Sequence, residues 1–456
     1  MSPKIEKYLR DARINLLIKK AKDDPSIIND IINHLDSKSR SVRFNSILAL
    51  GELGSKSKSA VDDLMACLED EDWSICREAA RTLGKIGNVS ETAIPKLTDY
   101  INDNEVSIRK AVVVSLGKIG SAKYEAISHL INALKDESIE VRIEAANALG
   151  KIGADAYGAI PELMDALKDI NWEVRSASAE AISKIGKGTK KAIPSLINAL
   201  GDSDWRVRHK VLNTLVEVGQ PAIPALLSVL NKDNPIIRKT AAEALGDLGI
   251  PDTEVIEKLS ELLEDKKEAV RGKTANALRN IGKKAIPALL DKLDSLSIFL
   301  TKLRSSKKDM RIIILTAIGG IGLEAESAIP AVIEYLNNSS TSVRAEAART
   351  LGKIGANSES AIEALEEALK DSRSKVRREA ALSLGNMGNN AKQAVPSLID
   401  ALNDKKPVVR WRASEALGNI GVKSTEIISS LEGLIHDECD YVCDSAINAI
   451  DNIEES

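Results

Sequence analysis

Aromatic side chains are almost missing from this sequence: Phe, Trp and Tyr make up 3% of 456 residues, against 43% for the apolar residues together. A core without large rings has to be assembled from Ala, Leu, Ile and Val between closely packed helices. Four cysteines in so long a chain exclude a disulfide framework. Histidine is equally scarce, at His34, His129, His209 and His436. No run of about 18 consecutive apolar residues occurs, so no membrane span is expected. The opening MSPKIEKYLRDARINLLIKKAKDD is charged, unlike a secretory signal. There is no excess of positive charge either. Lys and Arg number 63 against 67 Asp and Glu, for a net charge of −4 and a pI near 5.9. That balance argues against general nucleic-acid binding and against anionic membranes. The expectation is a soluble, cytoplasmic protein.

What the sequence has instead is a beat. Aligned on the arginine of the Val-Arg pair in Lys135–Gly153 (KDESIEVRIEAANALGKIG), copies recur at Arg43, Arg109, Arg142, Arg175, Arg208, Arg238, Arg271, Arg311, Arg344, Arg377 and Arg410. Cys76 and Cys443 hold the same place in two further copies. The step is 33 residues, except for one of 30 after Arg208 and one of 40 after Arg271. A fixed period of this length means stacked supersecondary units that touch only their neighbours.

In Ala159–Gly186 (AIPELMDALKDINWEVRSASAEAISKIG), Ile160, Leu163, Ala166 and Leu167 share one face of a first helix. Pro161 sits in its opening turn, where a missing N–H costs nothing. A second helix follows over about Glu173–Ile185, with Val174, Ala177, Ala181, Ile182 and Ile185 for burial, and Gly186 stops it. Glycine closes the first twelve copies, from Gly54 to Gly421, and nine more stand three residues earlier, from Gly51 to Gly418. Those inner positions predict close approach of a neighbouring helix.

The recurring A-I-P-x-L-x-x-A-L-x-D-x-x-x-x-V-R-x-x-A-A-x-A-L-G-x-I-G, as in Ala159–Gly186 or Ala394–Gly421, resembles the short HEAT-like repeats of the phycobilisome-lyase type. The resemblance covers roughly residues 25–453. It implies an all-α, right-handed solenoid of about thirteen 33-residue helix–turn–helix units. We expect a capping helix over 1–24, repeats one to twelve over 25–421 with a lengthened repeat nine at 283–322, and a degenerate capping repeat over 422–456.

An aspartate stands six residues before the arginine place in nine repeats, among them Asp136 before Arg142, Asp169 before Arg175 and Asp202 before Arg208. Bidentate pairing suits such a ladder, within a repeat or across to its neighbour. Because it recurs at every step, it is read as structural rather than as a substrate track.

Function is sought in what the beat leaves free. Lys85, Lys118, Lys151 and Lys184 occupy one place on successive second helices, with Arg77, Arg81 and Lys110 beside them; Glu180, Glu217, Glu243 and Asp247 follow. A face basic at first and acidic toward the middle is expected, suited to an extended or anionic partner segment. Trp73, Trp172 and Trp205 mark the entry to second helices, as binding anchors or as staples between repeats. Trp411 is expected on the partner-facing surface. In repeat nine, seven extra residues near Leu296–Leu303 lengthen the first helix without rotating its face. Leu296, Phe299, Leu300 and Leu303, with Ile312 and Ile313, are read as a contact site for a partner or a second copy; alternatively the longer helix folds back over Ile312 and Ile313.

Signs of chemistry are few. HEAT-repeat deoxyhypusine hydroxylases hold iron with paired His-Glu motifs, and no His-Glu dipeptide occurs here. His436, Cys439 and Cys443 form the one metal-like spacing, although the repeat pattern puts a turn through it. No cofactor is expected. HEAT-like DNA glycosylases use a strongly basic groove, which the net acidity disfavours. The leading reading is a non-catalytic scaffold or adaptor binding protein partners along one helix face; the alternative is a lyase or lyase subunit of the bilin-lyase type, or another enzyme accessory subunit.

Overall fold

The computed structural model describes residues 3–119, 124–186, 189–299 and 310–455. Among them every regular element is helical, α or 3-10, with no strand. The architecture is an α-solenoid. One repeat shows why. The helix Ile139–Ile152 ends at Gly153, whose φ of +71° lies in the left-handed region that only glycine enters freely. A 3-10 link, Gly153–Ala159, leads to the first helix of the next repeat, Ile160–Ala166, with Pro161 in its opening turn. Past the Asp169 turn, Asn171 caps the helix Trp172–Ile185, its Oδ1 accepting from the amides of Glu173 and Val174 at 2.8 and 3.3 Å.

The sequence misses the 3-10 links. Their midpoints are small and fully buried: Ser57, Ser90, Ala156, Ala325 and Ala391. Ser57 and Ser90 donate to the carbonyls of Leu50 and Leu83 at 2.9 and 2.8 Å, which satisfies their hydroxyls without solvent. One closing glycine also departs from expectation. Gly355 has φ −108°, and a Cβ there would stand 2.5 Å from Ala361 Cβ. Room, not handedness, requires it. Gly120 lies outside the described residues.

The chain divides into two compact units, Met1–Ala225 and Leu226–Ser456. The first opens with two short helices, Pro3–Arg10 and Ile14–Asp23, in place of the single capping helix read from the sequence. Ala12, at φ +55°, breaks it. Leu9 and Leu17 are nonetheless fully buried, and Asn45 Nδ2 donates to the Leu9 carbonyl at 2.7 Å.

Within each unit, successive second helices lie side by side at the inner glycines. A Cβ on Gly117 would fall 2.5 Å from Ala148 Cβ, and one on Gly246 would fall 2.4 Å from Ala277 Cα. The facing residue, 31 positions on, is small each time: Thr82, Ser115, Ala148, Ala181, Ala277, Thr350, Ser383, Ala416 and Ala449. Where it carries a hydroxyl, that group bonds back to the preceding second helix: Ser115 to the Ala80 carbonyl at 2.7 Å, Ser383 to Ala348 at 2.9 Å and Thr350 to Leu315 at 3.0 Å.

The second unit contains the lengthened repeat nine. Its first helix, Ile286–Phe299, has 14 residues where Ile160–Ala166 has 7. The 40-residue step hides a compensation. The link Gly282–Ala285 is three residues shorter than Gly153–Ala159, so ten residues, not seven, are added between Ile286 and Arg311. The same shortening, at Gln220–Ala222, produces the 30-residue step in the first unit. Among the described residues one stretch, Met310–Asn337, has the length and hydropathy of a membrane span, at 28 residues and mean hydropathy 1.7. Gly322, at φ +77°, and the link Gly322–Ala328 break it into two separate repeat helices, Met310–Ile321 and Ile329–Glu334.

Candidate functional site

The ladder is structural, and it crosses between repeats. Arg175 gives Nε to Asp202 Oδ2 at 2.6 Å and Nη2 to Oδ1 at 2.8 Å, 27 residues on, while its Nη1 meets the Asp169 carbonyl at 2.8 Å. The same pairing joins Arg43 to Asp70, Arg109 to Asp136, Arg142 to Asp169, Arg238 to Asp265, Arg344 to Asp371, Arg377 to Asp404 and Arg410 to Asp437. Residues six apart are therefore joined through the aspartate's carbonyl, not its carboxylate. Arg208 shows the difference: it donates to the carbonyls of Asp202 and Ser203, and the onward carboxylate place holds Lys232. Cys76 and Cys443, in the arginine place, donate their thiols to the carbonyls of Asp70 and Asp437.

On the first unit, the lysine row stands in the last turns of Trp73–Ile86, Val106–Ile119, Ile139–Ile152 and Trp172–Ile185. Its members differ. Lys85 pairs with Glu52 at 2.8 Å and Lys184 with Glu180 at 2.7 Å. Lys110 pairs with Glu140 at 2.7 Å. Arg77 turns aside to stack over the Trp73 ring, 5.0 Å from its centroid. Among the described residues, Lys118 and Lys151 have no carboxylate in ion-pair reach. Partial burial, and then the positive charges of Lys151, Lys85 and Arg81, push the Lys118 pKa down, with Glu144 opposing them. Lys85 and Arg81 have carboxylates of their own, Glu52 and, at 3.7 Å, Glu78, whereas Lys118 and Lys151 do not.

Of the expected acidic zone, Glu180 and Glu243 are paired with lysines, while Glu217 and Asp247 are exposed. Hydrogen bonds from Lys184 and Lys210 take the Glu180 carboxyl down to about 2, and Lys273 pairs with Glu243. Lys210 and Lys273 lie in a row that the sequence reading left out. Trp172 is a staple, with the Arg206 guanidinium 3.4 Å from its ring centroid. Trp73 and Trp205 are exposed.

In the second unit, Ile312 and Ile313 line a groove of about 490 Å3 together with Lys239, Gly272, Lys273 and Asn276. The side chains of Leu296 and Phe299, and all of Leu300 and Leu303, lie outside the described residues, as does the fold-back alternative. Trp411 lines a separate cavity of about 350 Å3 with Tyr441, Asn419, Asn448 and Asn452. The Trp411 and Tyr441 rings meet edge to face, centroids 5.6 Å apart, and Arg412 lies over Trp411.

The sulfur-rich metal spacing does not assemble. The helix Asp440–Glu455 starts after Cys439, leaving His436 in the preceding turn. The compact group there is Asp437, Glu438 and Cys439. Arg410 occupies both Asp437 oxygens and reaches Glu438 at 3.2 Å, so these carboxylates already serve a guanidinium. Two participants in the grooves went unread, Gly272 and Tyr441. For Gly272 a signal existed, since it is one of the few glycines outside the two recurring places.

The family model for HEAT repeats matches residues 28–117, 127–193, 160–246, 223–299, 296–385 and 362–451. No curated protein gives a significant sequence match. Among solved structures, an engineered protein is 23% identical over 86% of this chain and 98% of its own, with TM-score 0.33. Kap95p, in a complex with RanGDP, is 14% identical over 99% of this chain, with TM-score 0.47; the chain spans 63% of Kap95p. A homology model of the full-length AP-3 complex is 15% identical over 97% of this chain and 94% of its own, with TM-score 0.45.

Proposed function

The chain belongs to the HEAT-repeat family, and we propose that it is a non-catalytic scaffold that receives an anionic segment of a protein partner on the second helices of its first unit. Lys118 and Lys151 form the centre of that site, with Arg81, which also has Glu78 at 3.7 Å, beside them. The observation that carries the reading is the adjacent pair Lys118 and Lys151 on successive second helices, neither with a carboxylate in ion-pair reach among the described residues. Partial burial, and then neighbouring positive charge, disfavour the charged form of Lys118. Elsewhere on the second helices of this unit, Lys110 pairs with Glu140, and Lys184 and Lys210 pair with Glu180. A carboxylate-rich segment laid across the second helices supplies the missing charge, setting orientation and association rate.

Reversing Lys118→Glu and Lys151→Glu together tests this, with affinity for a labelled oligoglutamate peptide as the readout. A loss of roughly tenfold or more is expected; unchanged affinity contradicts the proposal. The finer repeat type, that of the phycobilisome lyases, rests on the repeat pattern alone. It keeps a bilin-lyase-like enzyme or accessory subunit as the alternative, and a chromophore band in the absorbance of the purified protein decides for it.

A further inference from the structure

Gly272 stands inside the helix Glu268–Ile281, where glycine weakens a helix relative to alanine. Its backbone is not left-handed, and an added Cβ meets nothing within 4 Å. Neither a turn nor a close approach requires it. The equivalent places on the adjacent repeats hold Lys239 and Ile312, so Gly272 opens a dent between a cation and an aliphatic wall. That dent is the middle of the groove of about 490 Å3, a size that takes a large side chain with room beside it. Ile312 and Ile313 are half-buried; Asn276 and Thr316 also line the groove, and Thr316 bonds Glu346 at 2.8 Å. Lys273 is held by Glu243, whereas Lys239 has no ion-pair partner among the described residues.

We propose that this groove seats a bulky aliphatic side chain of an acidic peptide segment, packed over Gly272 against Ile312 and Ile313, with a neighbouring carboxylate meeting Lys239. Charge complementarity selects this occupant over a basic one. The inference rests on the scaffold reading but adds a second, apolar anchor in the other unit.

The full chain is titrated with a labelled peptide carrying a Leu-Leu pair between glutamates, alongside counterparts with lysine for glutamate and serine for leucine. The Glu/Leu peptide is expected to bind best. Gly272→Leu fills the groove and favours the helix, so affinity falls roughly tenfold or more while the melting temperature does not drop. Lys239→Glu, a change that leaves the groove's apolar wall intact, also weakens binding. Equal affinity in the parent and both variants overturns the proposal, as does equal binding of the lysine peptide. Loss confined to the Lys118→Glu, Lys151→Glu variant moves the peptide to the first unit, overturning this inference while the scaffold reading stands. A parent chain that dimerises and becomes monomeric on Gly272→Leu makes a second copy the occupant, and overturns it too.

Discussion

Arg142 holds Asp169 with two arms of its guanidinium, Nε to Oδ2 at 2.8 Å and Nη2 to Oδ1 at 3.1 Å, and spends the third on the Asp136 carbonyl at 2.8 Å. Three acceptors from two successive repeats are thus fixed by one planar group. Lysine, with a single rotating ammonium, cannot meet all three. Arg142→Lys should lower the melting temperature, and Arg142→Ala should lower it more. The alanine variant leaves the mostly buried Asp169 without a countercharge, a cost on the order of 3 kcal/mol. Thermal denaturation followed by circular dichroism checks the order, and a lysine variant as stable as the parent contradicts it.

The break in the ladder at Cys76 offers the reverse experiment. Asp103 lies 27 residues after Cys76, in the place that receives an arginine elsewhere, and its Oδ1 accepts the Glu105 amide at 2.7 Å. Cys76→Arg should restore the rung and raise stability by about 1 kcal/mol, an effect cancelled by Asp103→Asn in a double-mutant cycle. Additive single effects are the contrary result.

Acid should dissolve the ladder. The Arg410 hydrogen bonds hold the Asp437 carboxyl below its ordinary value. At Asp136, Asp265, Asp371 and Asp404 burial pushes the other way, but hydrogen bonds from the paired arginine and a backbone amide outweigh it. The folded carboxyls therefore have lowered pKa values, so their contribution is complete above the ordinary aspartate value near about 4 and disappears as pH falls below it. Melting temperature against pH should be flat above about 5 and drop steeply below about 4. A flat profile continuing to about pH 3 runs against the account.

Two glycines should respond to alanine with opposite signs. Gly117→Ala pushes a methyl to 2.5 Å from Ala148 Cβ and should cost about 1–3 kcal/mol despite better helix propensity. Gly272→Ala meets no atom within 4 Å and should gain about 0.5–1 kcal/mol. Melting temperatures of the two variants decide it; a drop for Gly272→Ala would falsify the assignment of Gly272 to the groove rather than to packing.

Much of this was legible because packing repeats. Ile160, Leu163, Val174 and Ile182 announce two helices per step, and glycines at fixed places announce where helices stop and where they touch. The ladder's carboxylate partners were not fixed in advance, since a spacing of six residues does not say whether a side chain or a carbonyl faces the arginine. The 3-10 links were hidden because Ser57 and Ala156 look like ordinary helix or turn residues until their burial is known. Part of the charge face was hidden in its neighbours: Lys210 and Lys273, one row away, pair with Glu180 and Glu243. The inserted length was miscounted because the short link at Gly282–Ala285 offsets part of it.

Lys118 should trade stability for binding. Its folded pKa is lowered, so the folded chain sheds that proton more readily than the unfolded one, and stability rises as pH climbs through the lowered value. At neutral pH, Lys118→Gln should therefore stabilise the fold slightly, by a few tenths of a kcal/mol on the scale of like-charge pairs. It should weaken oligoglutamate binding in the same step. A variant that both unfolds earlier and binds less assigns Lys118 to the fold instead.

Zero-length carbodiimide cross-linking of an oligoglutamate peptide to the full chain, with the joined lysines identified by mass spectrometry, tests the binding face most directly. The account predicts cross-links concentrated at Lys118 and Lys151, and their disappearance at high salt. Cross-links spread evenly over the surface lysines, or concentrated on Lys110 and Lys184, which Glu140 and Glu180 already hold, would contradict it.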